Sequence, residues 1–290
     1  MMHTMERDRH IEPAPAKINL YLHVGARRAD GYHELESVIV FTDFGDEVAL
    51  SPAAEPELVR EGPFAAGLPG NAAEDLCMRA ASRLSAEFGC AANVRISLHK
   101  NIPVAAGVGG GSADAAAVLR LLCRMWGVPS DDPRVAAVAL ELGADVPVCL
   151  LSRAAHVHRL GEQVAPLKNF PALHLLLVNP AVPVSTASVF RAYGGGGELF
   201  TDPPATFTPD ALRDLTRNDL GVPAALLCPE IADVLAVLEG VSGCRLARMS
   251  GSGPTCFGVF DDADACATAA LQIVQARPGW WVCPTRTVTD

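Results

Sequence analysis

Ile18, Leu20, Leu22 and Val24 alternate with Lys17, Asn19, Tyr21 and His23. A period of two is that of a half-buried strand, so Ala16 to Val24 is predicted as one, with Lys17 and Asn19 on the same face. Arg28-Ala29-Asp30-Gly31-Tyr32-His33 follows as a turn or loop, punctuated by Asp-Gly. Leu35 to Phe44 and Glu47 to Leu50 read as two strands separated by a turn at Gly45-Asp46. Glu74 to Phe88 reads as a helix ending near Gly89. Val94, Ile96 and Leu98 then alternate with Arg95, Ser97 and His99, which predicts another strand. A glycine-rich stretch opens onto a helix in which Ala115, Leu119, Leu122 and Trp126 form one apolar stripe. The next helix, from about Pro133 to Leu142, stops at Gly143, a natural position after a helix end. Ala144-Asp145-Val146-Pro147 leads into the apolar run Val148 to Leu151, predicted as a strand.

The pattern restarts around Leu167 to Pro171. His174 to Val178 is a short apolar strand, and Gly194 to Gly197 a flexible loop. Helical segments fall near Pro209 to Asn218 and Pro229 to Leu238. Arg245 to Met249 and Cys256 to Phe260 read as strands flanking the turn Ser250-Gly251-Ser252-Gly253-Pro254. Asp262 to Gln275 is a last helix and Trp281 to Thr287 a last strand. There is no solenoid repeat. Strands and helices mix throughout, so the class is α+β, with two lobes covering residues 1–167 and 168–290.

Composition narrows the function classes. Half of the 290 residues are hydrophobic and 19% are charged, which is ample for a packed core and excludes global disorder. The 23 basic and 33 acidic residues leave a net charge of −10, the wrong sign for a duplex-binding surface, so no nucleic-acid partner is expected. No uninterrupted apolar stretch reaches the roughly 18 residues of a membrane span. Met1 to Glu12 is polar, unlike a secretory signal. The nine cysteines never stand at Cys-x-x-Cys spacing and lie mostly in apolar or alanine-rich runs. They read as small hydrophobes in a reducing compartment, so a cytoplasmic location is expected.

The strongest chemical signal is Gly107-Val108-Gly109-Gly110-Gly111-Ser112. Its glycines let the backbone approach a ligand closely, and it sits between a strand and a helix start. Backbone N–H groups and the helix dipole then point at one place, which suits phosphate. Ser112 or Asp114 could cap the helix. No Gly-Lys-Ser/Thr follows, Ser112 replaces the third glycine of a dinucleotide fingerprint, and protein-kinase motifs are absent. A tight packing turn is the alternative, though such a turn needs one or two glycines. Among three lysines, Lys17 on its half-buried strand requires a partner or must snorkel to water. Asp145 is a turn residue or a carboxylate at a cleft edge. His156 and His158 share a strand face but lack a third ligand at useful spacing, so they read as structural. Tyr32 and His33 could sandwich and read a planar base.

Pro15-Ala16-Lys17-Ile18-Asn19-Leu20, Arg28 to His33, Pro103 to Ala116, Leu142-Gly143-Ala144-Asp145-Val146-Pro147 and Ser250-Gly251-Ser252-Gly253 occur in this order. Together they resemble the GHMP kinase superfamily. The Arg28 to His33 and Gly143 to Pro147 segments narrow the resemblance to its branch acting on a cytidine diphosphate-linked methylerythritol. The resemblance implies a two-lobed GHMP kinase fold, with an N-terminal lobe like domain 2 of ribosomal protein S5 and a C-terminal ferredoxin-like lobe. It implies ATP-dependent phosphorylation of the tertiary 2-hydroxyl of that substrate, in non-mevalonate isoprenoid synthesis, with Mg²⁺ accompanying ATP. Lys17 and Asp145 would be the catalytic pair. Pro103-Val104-Ala105-Ala106-Gly107-Val108-Gly109-Gly110-Gly111-Ser112-Ala113 would cradle the ATP phosphates. Tyr32 and His33 would hold the cytosine, Asn19, Thr186 and Phe190 would line the substrate site, and Gly251, Ser252 and Gly253 would close it. A monomer or weak dimer is expected. Many members carry Ser-Ser-Asn or Ser-Ser-Asp after the triple glycine. Here Ser112-Ala113-Asp114 stands, so no metal ligand is assigned.

Overall fold

The computed structural model describes residues 10–29, 31–194, 200 and 204–289. Contacts group the chain into two compact units that alternate along the sequence. One is drawn from Met1–Ala16, Gly45–Val104 and Gly109–Leu151, the other from Lys17–Phe44, Ala105–Val108 and Ser152–Asp290. A single cut near residue 168 therefore isolates neither.

The first two strands, β1 (His10–Arg27) and β2 (His33–Pro52), pair with each other and are longer than the alternation predicts. β2 runs straight through Gly45-Asp46, where a turn was expected. A side chain at Gly45 would place its Cβ 2.4 Å from the Ala14 carbonyl oxygen and 2.5 Å from Pro15 Cα. The glycine is there for close approach of β1, not for a bend. In the first unit Glu47–Pro52 of β2 pairs antiparallel with β4 (Val94–His99), which pairs parallel with β3 (Glu57–Glu61). Between these lies α1 (Leu76–Phe88), capped by the Asp75 side chain and ended by Gly89 in the left-handed region.

Helix α2 (Gly110–Trp126) packs against α1 and carries far more than one apolar stripe. Residues 113–119 are all buried, as are Leu121, Leu122 and Cys123. Alanines on several faces let neighbouring elements approach from more than one side. α3 (Pro133–Leu142) follows as predicted, although Gly143 adopts an extended conformation rather than a left-handed one. The run after Asp145 is a short helix, α4 (Val146–Leu151), where a strand was expected. Six apolar residues carry no period that separates the two forms. The carbonyls of Gly143 and Asp145 accept the N–H groups of Val146 (3.0 Å) and Cys149 (3.1 Å), and Arg120 on α2 donates to Cys149 O at 2.8 Å. Pro147 costs nothing in a first turn, where its missing N–H has no partner to lose.

In the second unit Leu35–Ile39 of β2 pairs antiparallel with β5 (Ala155–Arg159), and β5 with β6 (Gln163–Pro166). After β7 (His174–Asn179) come α5 (Thr186–Tyr193), α6 (Pro209–Leu215), α7 (Gly221–Leu227) and α8 (Glu230–Gly240). The chain closes with β8 (Cys244–Met249), β9 (Cys256–Phe260), α9 (Ala263–Ala276) and β10 (Trp281–Arg286). α5 and α7 were not foreseen. Of the Gly194–Gly197 stretch, Gly194 ends α5, and residues 195–197 lie outside the described residues. The four late strands form an antiparallel sheet ordered β10-β7-β9-β8. With α8 and α9 packed on it, this is the β-α-β-β-α-β ferredoxin-like arrangement. Its core joins Leu176, Val178, Ile231, Val234, Leu238, Met249, Phe260 and Ile273.

Candidate active site

Strand alternation puts Lys17 and Asn19 on one face of β1, and both are buried. The Lys17 ammonium donates to Asn19 Oδ1 at 3.1 Å rather than snorkelling to water. Asn19 is held in turn: its Nδ2 donates to Ser37 Oγ (2.8 Å), whose hydroxyl donates to Tyr21 O (2.6 Å). The Asn19 backbone N–H donates to Ser250 Oγ at 3.1 Å. An amide locked from two sides presents its oxygen to the lysine in a fixed direction.

The same unit brings part of the glycine loop and the late turn to this strand. Val108 O accepts from Lys17 N (2.9 Å), Ala106 O from Thr255 N (3.1 Å), and Gly107 O from Ser250 Oγ (3.4 Å). Gly107 has φ +75°, and a Cβ there would lie 2.3 Å from Gly253 O. No other residue fits between the two backbones. Gly251 is packed as closely, since its Cβ would lie 3.0 Å from Gly107 O and 3.3 Å from Asn19 Oδ1. Asn218 Nδ2 pins the turn by donating to Met249 O (2.8 Å) and Gly251 O (2.9 Å). Thr186, in the first turn of α5, shares a 2.8 Å hydroxyl hydrogen bond with Ser252. Lys17, Asn19, Thr186, residues 106–108 and 250–253 thus form one constellation within the second unit.

Three rings from this unit meet at His33. The Phe190 ring lies 5.8 Å from the His33 ring, inclined by 31°, and Tyr193 meets His33 edge-on at 5.8 Å. His33 is buried and Tyr32 exposed. His33 Nδ1 lies 3.0 Å from Gly25 O, which can only accept. His33 Nδ1 therefore donates to it, and in the neutral ring Nε2 is then an acceptor.

In the first unit Gly109 is the N-cap of α2, with φ +66° and no side-chain cap, so neither Ser112 nor Asp114 fills the expected capping role. The first N–H groups of a helix have no partner inside it, and here they belong to Gly110, Gly111 and Ser112. Pro103 and Val104 lead toward the loop from the end of this unit's chain segment, and Ala105 follows in the other unit with φ +56°. Ala113 donates its N–H to Gly109 O at 2.9 Å. Asp145 stands half-buried immediately before α4.

Sequence reasoning missed Ser37, Tyr193, Asn218 and Thr255, and it quoted Ser250 within a motif without giving it a role. Each lies far along the chain from the residue it holds. His156 and His158 take a structural place. His156 Nε2 lies 3.0 Å from Glu36 Oε1, and its Nδ1 lies 3.1 Å from His158 Nε2. Among the described residues no three His, Cys, Asp or Glu side chains cluster as a metal site, and no helix is long and apolar enough to cross a membrane.

The N-terminal domain model of the GHMP kinases matches residues 75–153, and their C-terminal model matches residues 208–276. With the observed fold, these define a small-molecule kinase of the GHMP type. A 4-diphosphocytidyl-2-C-methyl-D-erythritol kinase from Methylorubrum extorquens is 47% identical over 283 residues, covering 94% of this chain and 97% of the relative. One from Parvibaculum lavamentivorans is 46% identical, covering 93% and 96%. A crystal structure of 4-(cytidine 5′-diphospho)-2C-methyl-D-erythritol kinase superposes with a TM-score of 0.80 at 35% identity, covering 96% of this chain and all of the other. Homoserine kinase from Cytophaga hutchinsonii shares the fold, with a TM-score of 0.71 at 17% identity, covering 100% of this chain and 97% of that one. The chain belongs to the 4-diphosphocytidyl-2-C-methyl-D-erythritol kinase family.

Proposed function

We propose that this chain acts in the cytoplasm, transferring the γ-phosphoryl group of ATP to the tertiary 2-hydroxyl of 4-diphosphocytidyl-2-C-methyl-D-erythritol, a step of non-mevalonate isoprenoid synthesis. The hydroxyl oxygen forms a bond to the γ-phosphorus, the bond from that phosphorus to the β-γ bridging oxygen breaks, and ADP leaves. Such transfer demands positioning and charge neutralisation more than covalent help from the protein. Residues 103–113 offer peptide N–H groups to the phosphates. Mg²⁺ would accompany ATP and neutralise charge on its phosphates, and no side chain is assigned to hold it.

A tertiary alcohol is hindered and weakly acidic. Asp145 is assigned to orient it and take its proton, and Lys17 to steady the charge that moves onto the transferring group. Asn19, Thr186 and Phe190 line the methylerythritol side, and residues 251–253 close it. Tyr32 stacks on the cytosine. With its proton on Nδ1, His33 presents a lone pair at Nε2 that suits the exocyclic amino group of cytosine, which donates, and repels the corresponding oxygen of uracil.

The observation that carries this reading is buried Lys17, whose ammonium is aimed by Asn19 and whose backbone N–H bonds the glycine loop at Val108 O. The test is single-turnover kinetics on Asp145→Asn and Lys17→Ala. The carboxylate's loss should slow turnover by about 10²- to 10⁴-fold while ATP still binds. Lys17→Ala should act on rate more than on ATP affinity. Near wild-type rates in both variants would remove the pair from the reaction.

A further inference from the structure

Lys100 follows β4 directly, enters the segment leading to the glycine loop, and is buried. Its ammonium donates to Asp46 Oδ2 on β2 and, at 2.7 Å, to Asp114 Oδ2 in the first turns of α2. Both carboxylates are also buried. Asp46 Oδ1 accepts the backbone N–H groups of Asn101 (2.5 Å) and Ile102 (2.8 Å), which start the path into the loop. A Cβ on Gly110 would lie 3.0 Å from the lysine nitrogen and 3.3 Å from Ile102 Cγ2. The triad is thus packed directly behind the first turn of α2. It ties together a strand, the chain entering the loop and the helix leaving it.

Charge counting then poses a problem. One ammonium and two ionised carboxylates would leave a net negative charge buried behind N–H groups assigned to phosphate. Both Asp46 oxygens accept hydrogen bonds, whereas Asp114 Oδ1 is buried with no hydrogen-bond partner. A buried anionic oxygen with no donor is strongly disfavoured. From α1 and its cap, the facing groups are the Cys77 thiol and Asp75, the latter paired with Arg60 at 2.9 Å. Burial pushes the thiol well up, so it stays neutral. Burial likewise raises the Asp114 carboxyl well above the usual range against the pull of Lys100, and Asp46 adds to the rise.

We infer that Asp114 is held as the neutral acid, making Lys100, Asp46 and Asp114 a charge-neutral positioning unit that sets the glycine loop for nucleotide phosphates. The loop's role rests on the kinase reading above, whereas the protonation state does not. The first test is infrared difference spectroscopy of the full chain at neutral pH, wild type against Asp114→Asn. A carbonyl stretch of a buried carboxylic acid should be present in the wild type and missing from the variant, and its absence from the wild type overturns the inference. The second is steady-state kinetics. Asp114→Asn reproduces the neutral acid's shape and charge, so its KM for ATP should stay within about threefold of wild type. Lys100→Met leaves Asp46 without its cation, so KM for ATP should rise about tenfold or more while KM for the cytidine substrate changes little. Equal effects on both substrates, or an Asp114→Asn defect as large as that of Lys100→Met, would reduce the triad to a structural tie. Wild-type enzyme without turnover would sink the kinase reading, and the infrared band would still decide the protonation state.

Discussion

Glu36 gives the sharpest quantitative prediction. Its carboxylate is buried on β2 among the Tyr21 hydroxyl (3.1 Å), His156 Nε2 (3.0 Å) and His23 Nδ1 (3.9 Å). Burial alone would raise its pKa, but hydrogen bonds from His156, His23 and Tyr21 outweigh it and bring the value from 4.5 down to about 2. The same contact acts in reverse on Tyr21, whose phenol is raised by burial and by the Glu36 charge. A tenfold change in proton affinity is worth about 1.4 kcal/mol, so the ionised carboxylate contributes about 3 kcal/mol to folding. The folded state holds this carboxyl more acidic than the unfolded chain does. The contribution is therefore complete well above pH 4.5 and is lost as the pH falls through about 2. Glu36→Gln keeps the shape and removes the charge. It should be less stable than wild type by about 3 kcal/mol at pH 7 and by about 1.4 kcal/mol at pH 3. Urea titrations of both proteins at the two pH values read the difference directly. An equal gap at both would show that the network stabilises through packing and not through the carboxylate's charge.

Three further outcomes follow from the geometry. Gly107→Ala forces a side chain into the left-handed region and against Gly253 O, so it should cost about 2 kcal/mol or more of stability and weaken ATP binding. Gly70→Ala, which meets open space, should stay within about 0.5 kcal/mol. Arg248 donates to Leu20 O, Leu212 O, Thr216 O and Thr216 Oγ1, and burial lowers its pKa to about 10. Arg248→Met strands these acceptors and should cost about 3 kcal/mol in chemical denaturation, with Arg248→Lys recovering only part because one nitrogen cannot reproduce the fork. His33→Ala should raise KM for the cytidine substrate without changing KM for ATP, and wild type should discriminate against the uridine analogue. Equal use of the two bases would remove His33 from recognition.

The elements legible in the sequence were those whose period is long or bounded. α1 and α3 are bounded by Asx residues and glycine, α9 starts at Asp262, and the strands of the late sheet are short apolar runs set off by turn residues. The glycine loop was legible because no ordinary turn needs that many glycines. Gly45 misled, because a glycine that admits a neighbouring strand has the same letter as one that makes a turn. The run after Asp145 misled because six apolar residues suit a buried strand and a buried helix equally. In the candidate site, the alternation of β1 put Lys17 and Asn19 on one face but left open whether Lys17 has a partner, and the structure supplies Asn19 Oδ1. The roles of Ser250, Asn218 and Ser37 were not legible, since they act by hydrogen bonds to residues far off in sequence. The Lys100 triad was hidden for a related reason. Each member is an ordinary charged residue, and only the fold buries the three together.

The alternation of the two units along the chain bears on recombination among relatives. The backbone passes from one unit to the other five times, at residues 16/17, 44/45, 104/105, 108/109 and 151/152. Two of these junctions bracket residues 105–108, and another lies immediately before Lys17. A hybrid gene with one crossover point would leave at least one unit assembled from both parents. A clean exchange of either unit requires all five junctions, and a polypeptide beginning at Ser152 would lack Lys17–Phe44 and with it β2, one of the two strand partners of β5.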